Sequence, residues 1–251
     1  MSFKEYQNYD AGLETKRGPI RDMLRFALQL IVIAVVLFFA LLLVFRWVPV
    51  PTSAFIYQQN DLAEKSPKIY EKAAYSWVSW DEISPQLAIA VIAAEDQRFP
   101  THWGVDTIEL KKALSQNKKG KVRPRGASTI TQQLAKNLFL WGGRSYTRKI
   151  LEAGISVSLE MVWPKKRILE VYLNVAQFGD AIFGANEASR QLFDVDVKDL
   201  SREQAAMLAA VLPKPAISNV NDPKPVLRKR QQWILKQMKQ LGGLNYLKQL
   251  E

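Results

Sequence analysis

The sequence predicts a mainly α protein carried on a single N-terminal membrane-spanning helix. Three observations predict it. Phe26 to Phe45 is a run of 20 residues with one polar member, Gln29. Beyond it, apolar residues recur at helical spacing in segments opened by Ser, Thr or Pro and closed before Gly or Pro. No segment alternates at the strand period, and there is no internal repeat or low-complexity tract.

The apolar run comes first. At about 1.5 Å per residue it spans about 30 Å as a helix, the thickness of a bilayer's hydrocarbon core. It is too long for the apolar region of a signal peptide, and "VPVPTSA" after it is a weak cleavage site, so an uncleaved anchor over 24–45 is expected. Lys4, Lys16, Arg17, Arg21 and Arg25 precede the span, whereas only Arg46 lies between it and residue 60. That asymmetry puts 1–23 in the cytoplasm and 46–251 outside, with Trp47 at the interface. The formal net charge is +11. Most of it belongs to the outer part, which suits anionic lipid headgroups or anionic substrates, and the topology argues against nucleic acid.

The outer helices follow in order. Ser84 and Pro85 open one that runs to about Phe99, before Pro100. Lys111 to Arg125 holds seven bases and no acid, and Gly120 and Pro124 punctuate a loop in its C-terminal part. Ser128 caps a helix through about Leu140, Thr147 caps another through Trp163, and Pro164 starts a third that ends near Gly179. Ser201 with Gln204 makes a capping box, and its helix stops before Pro213. Pro225 to Leu241 is a basic last helix with Gly242 at its C-terminal cap.

Three stretches carry candidate chemistry. In "AAEDQRFPTHWGVD", Glu95 and Asp96 end an apolar helix, where the helix dipole disfavours acids, and His102 is the chain's one histidine. In "GASTITQQLAKNLFL", Ile130, Leu134 and Leu138 make a buried stripe, while Thr129, Gln133, Lys136 and Asn137 fall on a neighbouring polar stripe that has no acid. Ser128 and Thr129 stand at that helix's start, a natural anion site. In "TRKILEAGISVSLE", Arg148 and Glu152 are at i, i+4 and Lys149 and Glu152 at i, i+3, which taken alone reads first as a surface ion pair and only second as a carboxylate held among cations near a phosphate.

Other chemistries drop away. One histidine and no cysteine cannot build a usual zinc site, and no Gly-rich loop has a nucleotide-binding pattern. The S-x-x-K match at Ser115 to Lys118 has no K-T-G partner. What remains is two carboxylates, a set of cations and a membrane. Paired carboxylates serve glycosidic chemistry, and cations stabilise a phosphate leaving group.

The segments "EDQRFPTHWGVD", "GASTITQQLAKNLFL", "RKILEAGISVSLE", "KKRILEVYLNVAQFG" and "AAMLAAVLPKP" resemble, in that order, the motifs of the family 51 peptidoglycan glycosyltransferases. The match covers roughly 84–216. With no room for a penicillin-binding transpeptidase domain, the resemblance is to the family's monofunctional branch. It implies a lysozyme-like helical domain with a smaller membrane-associated jaw lobe. It also implies polymerisation of lipid II into β-1,4 glycan with inversion and release of undecaprenyl pyrophosphate, at the outer face of the bacterial cytoplasmic membrane. Glu95 matches the catalytic base and Glu152 the second catalytic glutamate. Asp96, Phe99, His102, Ser128, Thr129, Gln133, Lys136, Asn137, Arg148 and Lys149 are the implied substrate-binding set.

No cofactor is expected to be required and no dedicated metal cage is visible, although the substrate's phosphates can recruit a divalent cation such as Mg²⁺. The implied partners are lipid II, the growing lipid-linked glycan, the bilayer, and other cell-wall synthesis or division proteins. Two other readings compete. A lysozyme-like lytic enzyme has no use for the cationic set, because no phosphate leaves. A non-catalytic membrane scaffold leaves the motifs idle.

Overall fold

The computed structural model describes residues 19–118, 128–143 and 145–250. It is mainly helical and divides into two units at Leu42. The first unit holds most of helix α1, Pro19–Phe45, which begins a little before the expected residue 24 with proline in its first turn. Ile20–Phe45 has a mean hydropathy of 3.2 over its most apolar stretch and is long enough to cross a membrane. Side chains from Ile20 to Leu37 are exposed, as a lipid-facing helix requires.

The second unit, from Leu42 on, contains α2 (Ala54–Lys65), α3 (Pro85–Glu95), α4 (Thr107–Lys118), α5 (Ile130–Phe139), α6 (Tyr146–Val162), α7 (Lys165–Val175), α8 (Ala185–Phe193), α9 (Arg202–Val211) and α10 (Pro225–Gln240). Its centre is α3. Leu87 to Ala93 are all buried, the mark of a helix apolar all round and enclosed by others. It packs between α9 and α10, while α5 packs against α6 and α7. The stem Leu42–Val48 is tied on by Trp163, whose indole donates to the Leu42 carbonyl at 2.6 Å, and by Arg167, which donates to the carbonyls of Phe45 and Val48.

Several boundaries differ from the sequence reading. Helix α3 stops at Glu95 rather than near Phe99, because Asp96 leaves helical geometry and commits its carboxylate elsewhere; Phe99–Thr101 is a separate 3₁₀ turn. The Ser84 hydroxyl does not cap α3 but donates to the Leu200 carbonyl. Helix α5 is capped by Thr129, not Ser128, in a reciprocal box with Gln132. Helix α6 is capped by Ser145, not Thr147. Helix α7 ends at Val175, not near Gly179, and the chain turns into a two-residue strand, β2 (Ile182–Phe183). This pairs in parallel with β1 (Ala74–Tyr75), a pair too short to show a period in sequence. The turn depends on Gly184 at φ +84°, where a Cβ would lie 2.5 Å from the Asn174 carbonyl oxygen. The boxed start of α9 and the glycine end of α10, with Gly242 at φ +94°, are as expected. The basic stretch is helical as far as Lys118, and the rest of its expected loop, 119–125, lies outside the described residues.

Candidate active site

Glu95 is the last residue of α3, and both its carboxylate oxygens are engaged. Oε2 accepts from the Gln133 side-chain amide at 2.8 Å, and Oε1 accepts from Nη2 of Arg230 at 2.9 Å. Gln133 is itself oriented, since its carbonyl oxygen accepts from the Tyr172 hydroxyl at 2.8 Å. Tyr172 is fully buried, and burial with the nearby carboxylates holds its hydroxyl well above the ordinary tyrosine range, so it remains a donor. The α5 polar stripe is therefore not a solvated face at this point: it is aimed at the α3 terminus.

A second cluster lies on α6. Glu152 is buried, and its Oε2 accepts from Nη1 of Arg148 at 3.1 Å while its Oε1 accepts from Lys149. Lys149 also donates to the Ser128 hydroxyl at 3.0 Å, which joins the start of α5 to α6. Lys136 is half-buried on α5, with its ammonium 5.2 Å from the centroid of the Phe55 ring. Burial depresses its ammonium below the ordinary lysine value; Glu152 and Glu95 both pull it back up, and Arg148 and Lys149 push it further down. It therefore lies within electrostatic reach of Glu95, Glu152 and both α6 cations. Asn137 is half-buried one residue further on.

Asp96, Phe99 and His102 face inward. Nε2 of His102 lies 3.0 and 2.9 Å from the two Asp96 oxygens, and Asp96 Oδ2 also accepts the backbone N–H of Ile130 at 3.0 Å. Phe99 packs edge-on to His102. These three brace the α3 terminus against the start of α5, and this bracing fixes Glu95 relative to Gln133. Thr129 is buried in the same brace, donating to the Gly104 carbonyl while capping α5.

Three residues outside the expected set complete the arrangement. Arg230 comes from α10, 135 residues from Glu95, and one more base in a basic helix gives no local signal. Tyr172 looked like an ordinary core aromatic. Glu160 accepts from the Gly104 N–H, the Thr131 hydroxyl and the Lys165 ammonium, a network that ties α6 to α5 and the 102–104 turn. Its signal was available: Arg148, Glu152, Ser156 and Glu160 recur every four residues, a polar stripe on a helix face that proves to be largely buried.

A carboxylate aimed by two donors, beside a nest of cations around a second carboxylate, is equipped for proton removal next to a departing anion. The family model described as Transglycosylase matches residues 61–239. The chain belongs to the transglycosylase family. Both clusters, and Arg230 with them, fall inside the matched span. Among its relatives, the biosynthetic peptidoglycan transglycosylase of Escherichia coli (strain K12) is 49% identical over 225 residues, covering 90% of this chain and 93% of that protein. The proteins of the same name from Escherichia coli O139:H28 (strain E24377A / ETEC) and O9:H4 (strain HS) match to the same extent.

Proposed function

We propose that this chain, a glycosyltransferase acting on peptidoglycan, polymerises lipid II, with Glu95 as the base. What supports the reading is the Glu95 carboxylate aimed by Gln133 and, on α6, the Glu152 carboxylate that organises Arg148 and Lys149. In the reaction, Glu95 takes the proton from the 4-hydroxyl of the acceptor's GlcNAc as that oxygen bonds to the anomeric carbon of the donor's MurNAc. The bond from that carbon to pyrophosphate breaks on the opposite face, so an α-linked donor gives a β-1,4 product. The electron pair leaves on the pyrophosphate oxygen, where Lys136, Arg148 and Lys149 meet the charge. Undecaprenyl pyrophosphate is released. Glu152 works through the cations, holding Arg148 and Lys149 in place.

Among the described residues no three His, Asp or Glu side chains converge as a metal site. In this reading Lys136, Arg148 and Lys149 supply cationic charge, and a divalent cation such as Mg²⁺ would join on the substrate's own phosphates. The apolar helix α1 and the flanking bases support a single-pass topology, with 1–23 cytoplasmic and the catalytic domain, 46–251, on the outer face of the cytoplasmic membrane. The substrate is then the lipid-linked glycan in that bilayer.

Incubation of the purified full chain with lipid II alone tests this. Polymer of glycan length is expected. Degradation of added glycan without polymer would indicate a lytic enzyme, and no reaction in either assay would leave a scaffold.

A further inference from the structure

The arginine on α10 presents a problem that the proposed base raises and does not answer. Glu95 ends a helix, where the dipole works against a negative charge, and its side chain is largely buried. A carboxylate in that position needs a contact on each oxygen to stay aimed. Gln133 supplies one neutral hydrogen bond. Among the described residues the direct ionic contact to Glu95 is Arg230, at 2.9 Å.

The way Arg230 is bound differs from the structural arginines of this protein. Arg167 spreads its guanidinium over two backbone carbonyls of the stem and Glu170 of its own helix, and so ties the stem to α7. Arg202 and Arg228 each donate to a backbone carbonyl. Arg230 donates to no backbone group; its one acceptor among the described residues is Glu95, and its Nε is buried without a partner. A guanidinium placed only for packing would not be expected to direct its sole bond to this carboxylate.

We infer that Arg230 is a positioning residue for the reaction: it holds the Glu95 carboxylate in place and fixes the direction of its lone pairs toward the incoming hydroxyl. A carboxylate has about four lone-pair sites, and Gln133 and Arg230 occupy one on each oxygen. One site on each oxygen remains for a substrate hydroxyl, so Arg230 need not leave for the proton to arrive. The C-terminal helix, outside the five sequence motifs, is thus part of the catalytic apparatus. This inference rests on Glu95 being the base.

The test compares Arg230→Ala, Arg230→Lys, Glu95→Gln and the Arg230→Ala/Glu95→Gln double variant of the full chain with lipid II in detergent. Arg230→Ala should lower kcat by about 10- to 100-fold, the scale of misplacing a reacting group, while KM stays within about twofold. Arg230→Lys should recover part of kcat. If the Ala variant does not fold, the Lys variant still reads the effect of losing the fork geometry. On the Glu95→Gln background, removing Arg230 should cost little more, because the group it positions is already gone. Wild-type kcat in Arg230→Ala, or a loss equally large on both backgrounds and in step with lost thermal stability, overturns the inference and leaves Glu95 as base. Near-normal turnover in Glu95→Gln instead removes the base assignment, and this inference with it.

Discussion

Replacing Glu152 by Gln tests whether the second carboxylate organises the cations. Glu152 is 3% exposed and Arg148 is 9% exposed, so their pair is largely shielded from water. Gln keeps the volume and one acceptor, but its amide NH₂ faces one of two donors, so Arg148 or Lys149 loses its partner. Removing one member of a buried ion pair costs about 3–5 kcal/mol, and downgrading a charge-assisted hydrogen bond costs about 1.5–3 kcal/mol. The Lys149 side chain is 47% exposed, so its contact is screened and adds little. The substitution should therefore destabilise by about 2–4 kcal/mol, nearly all of it at Arg148. At about 2–4 °C per kcal/mol for a domain of this size, Tm should fall by roughly 4–16 °C in a circular-dichroism melt in detergent. Turnover should fall as well, and binding at the donor site more strongly. Affinity for moenomycin, a phosphoglycolipid inhibitor of the family, reads the second effect. Deleting a negative charge should by itself help an anion bind, so weaker binding would mean that lost orientation of Arg148 outweighs the gained charge. A Tm within about 1 °C of wild type, together with unchanged moenomycin affinity, would refute the role assigned to Glu152.

Three further outcomes can be measured. Burial holds the Lys136 ammonium below the ordinary lysine range, and a bound phosphate favours its charged form, so moenomycin affinity should decline as pH rises through that lowered pKa, before an exposed lysine would titrate; a flat profile up to the ordinary lysine range would contradict this. Over the same window the unfolded chain holds the proton more tightly than the folded one, so Lys136 makes stability rise with pH, and Lys136→Met should keep or raise Tm at neutral pH while weakening moenomycin. Gly104 sits at φ +75° with a would-be Cβ 2.9 Å from the backbone carbon and oxygen of Ser156, so Gly104→Ala should cost about 2–4 kcal/mol from strain and overlap and loosen the contacts to Thr129 and Glu160; an unchanged melting curve would show that the turn yields freely.

How legible the protein was depends on the range of the interactions involved. The long apolar N-terminal helix, the helical class and the start of α9 were readable because each is a local pattern: an apolar run, a period or a capping box. The Arg148–Glu152 and Lys149–Glu152 pairs were readable for the same reason, being one helical turn apart. Thr129 and Gln132 form a capping box that the sequence displayed and that Ser128, one residue earlier, obscured. The end of α3 was misplaced because Asp96 breaks the helix to reach His102 and the Ile130 N–H, a tertiary demand that no propensity encodes. Arg230 and Tyr172 were not identifiable as partners of the Glu95 and Gln133 cluster. Their contacts span 135 and 39 residues, and in sequence each looks like any other base or core aromatic on an amphipathic helix.

The central claim is that Glu95 removes the proton from the attacking hydroxyl. Its most direct test is the rate at which Glu95→Gln polymerises lipid II, beside wild type, with moenomycin affinity and Tm measured on the same preparation. Gln preserves the size of the side chain and an acceptor for Arg230 or Gln133, but has no basicity. The rate should be lower by about two orders of magnitude or more, the scale of general-base catalysis, with inhibitor affinity close to wild type and a smaller loss of Tm than Glu152→Gln shows, because Arg230 is more exposed than Arg148. Polymerisation at a near-normal rate in a folded, inhibitor-binding Glu95→Gln protein would contradict it.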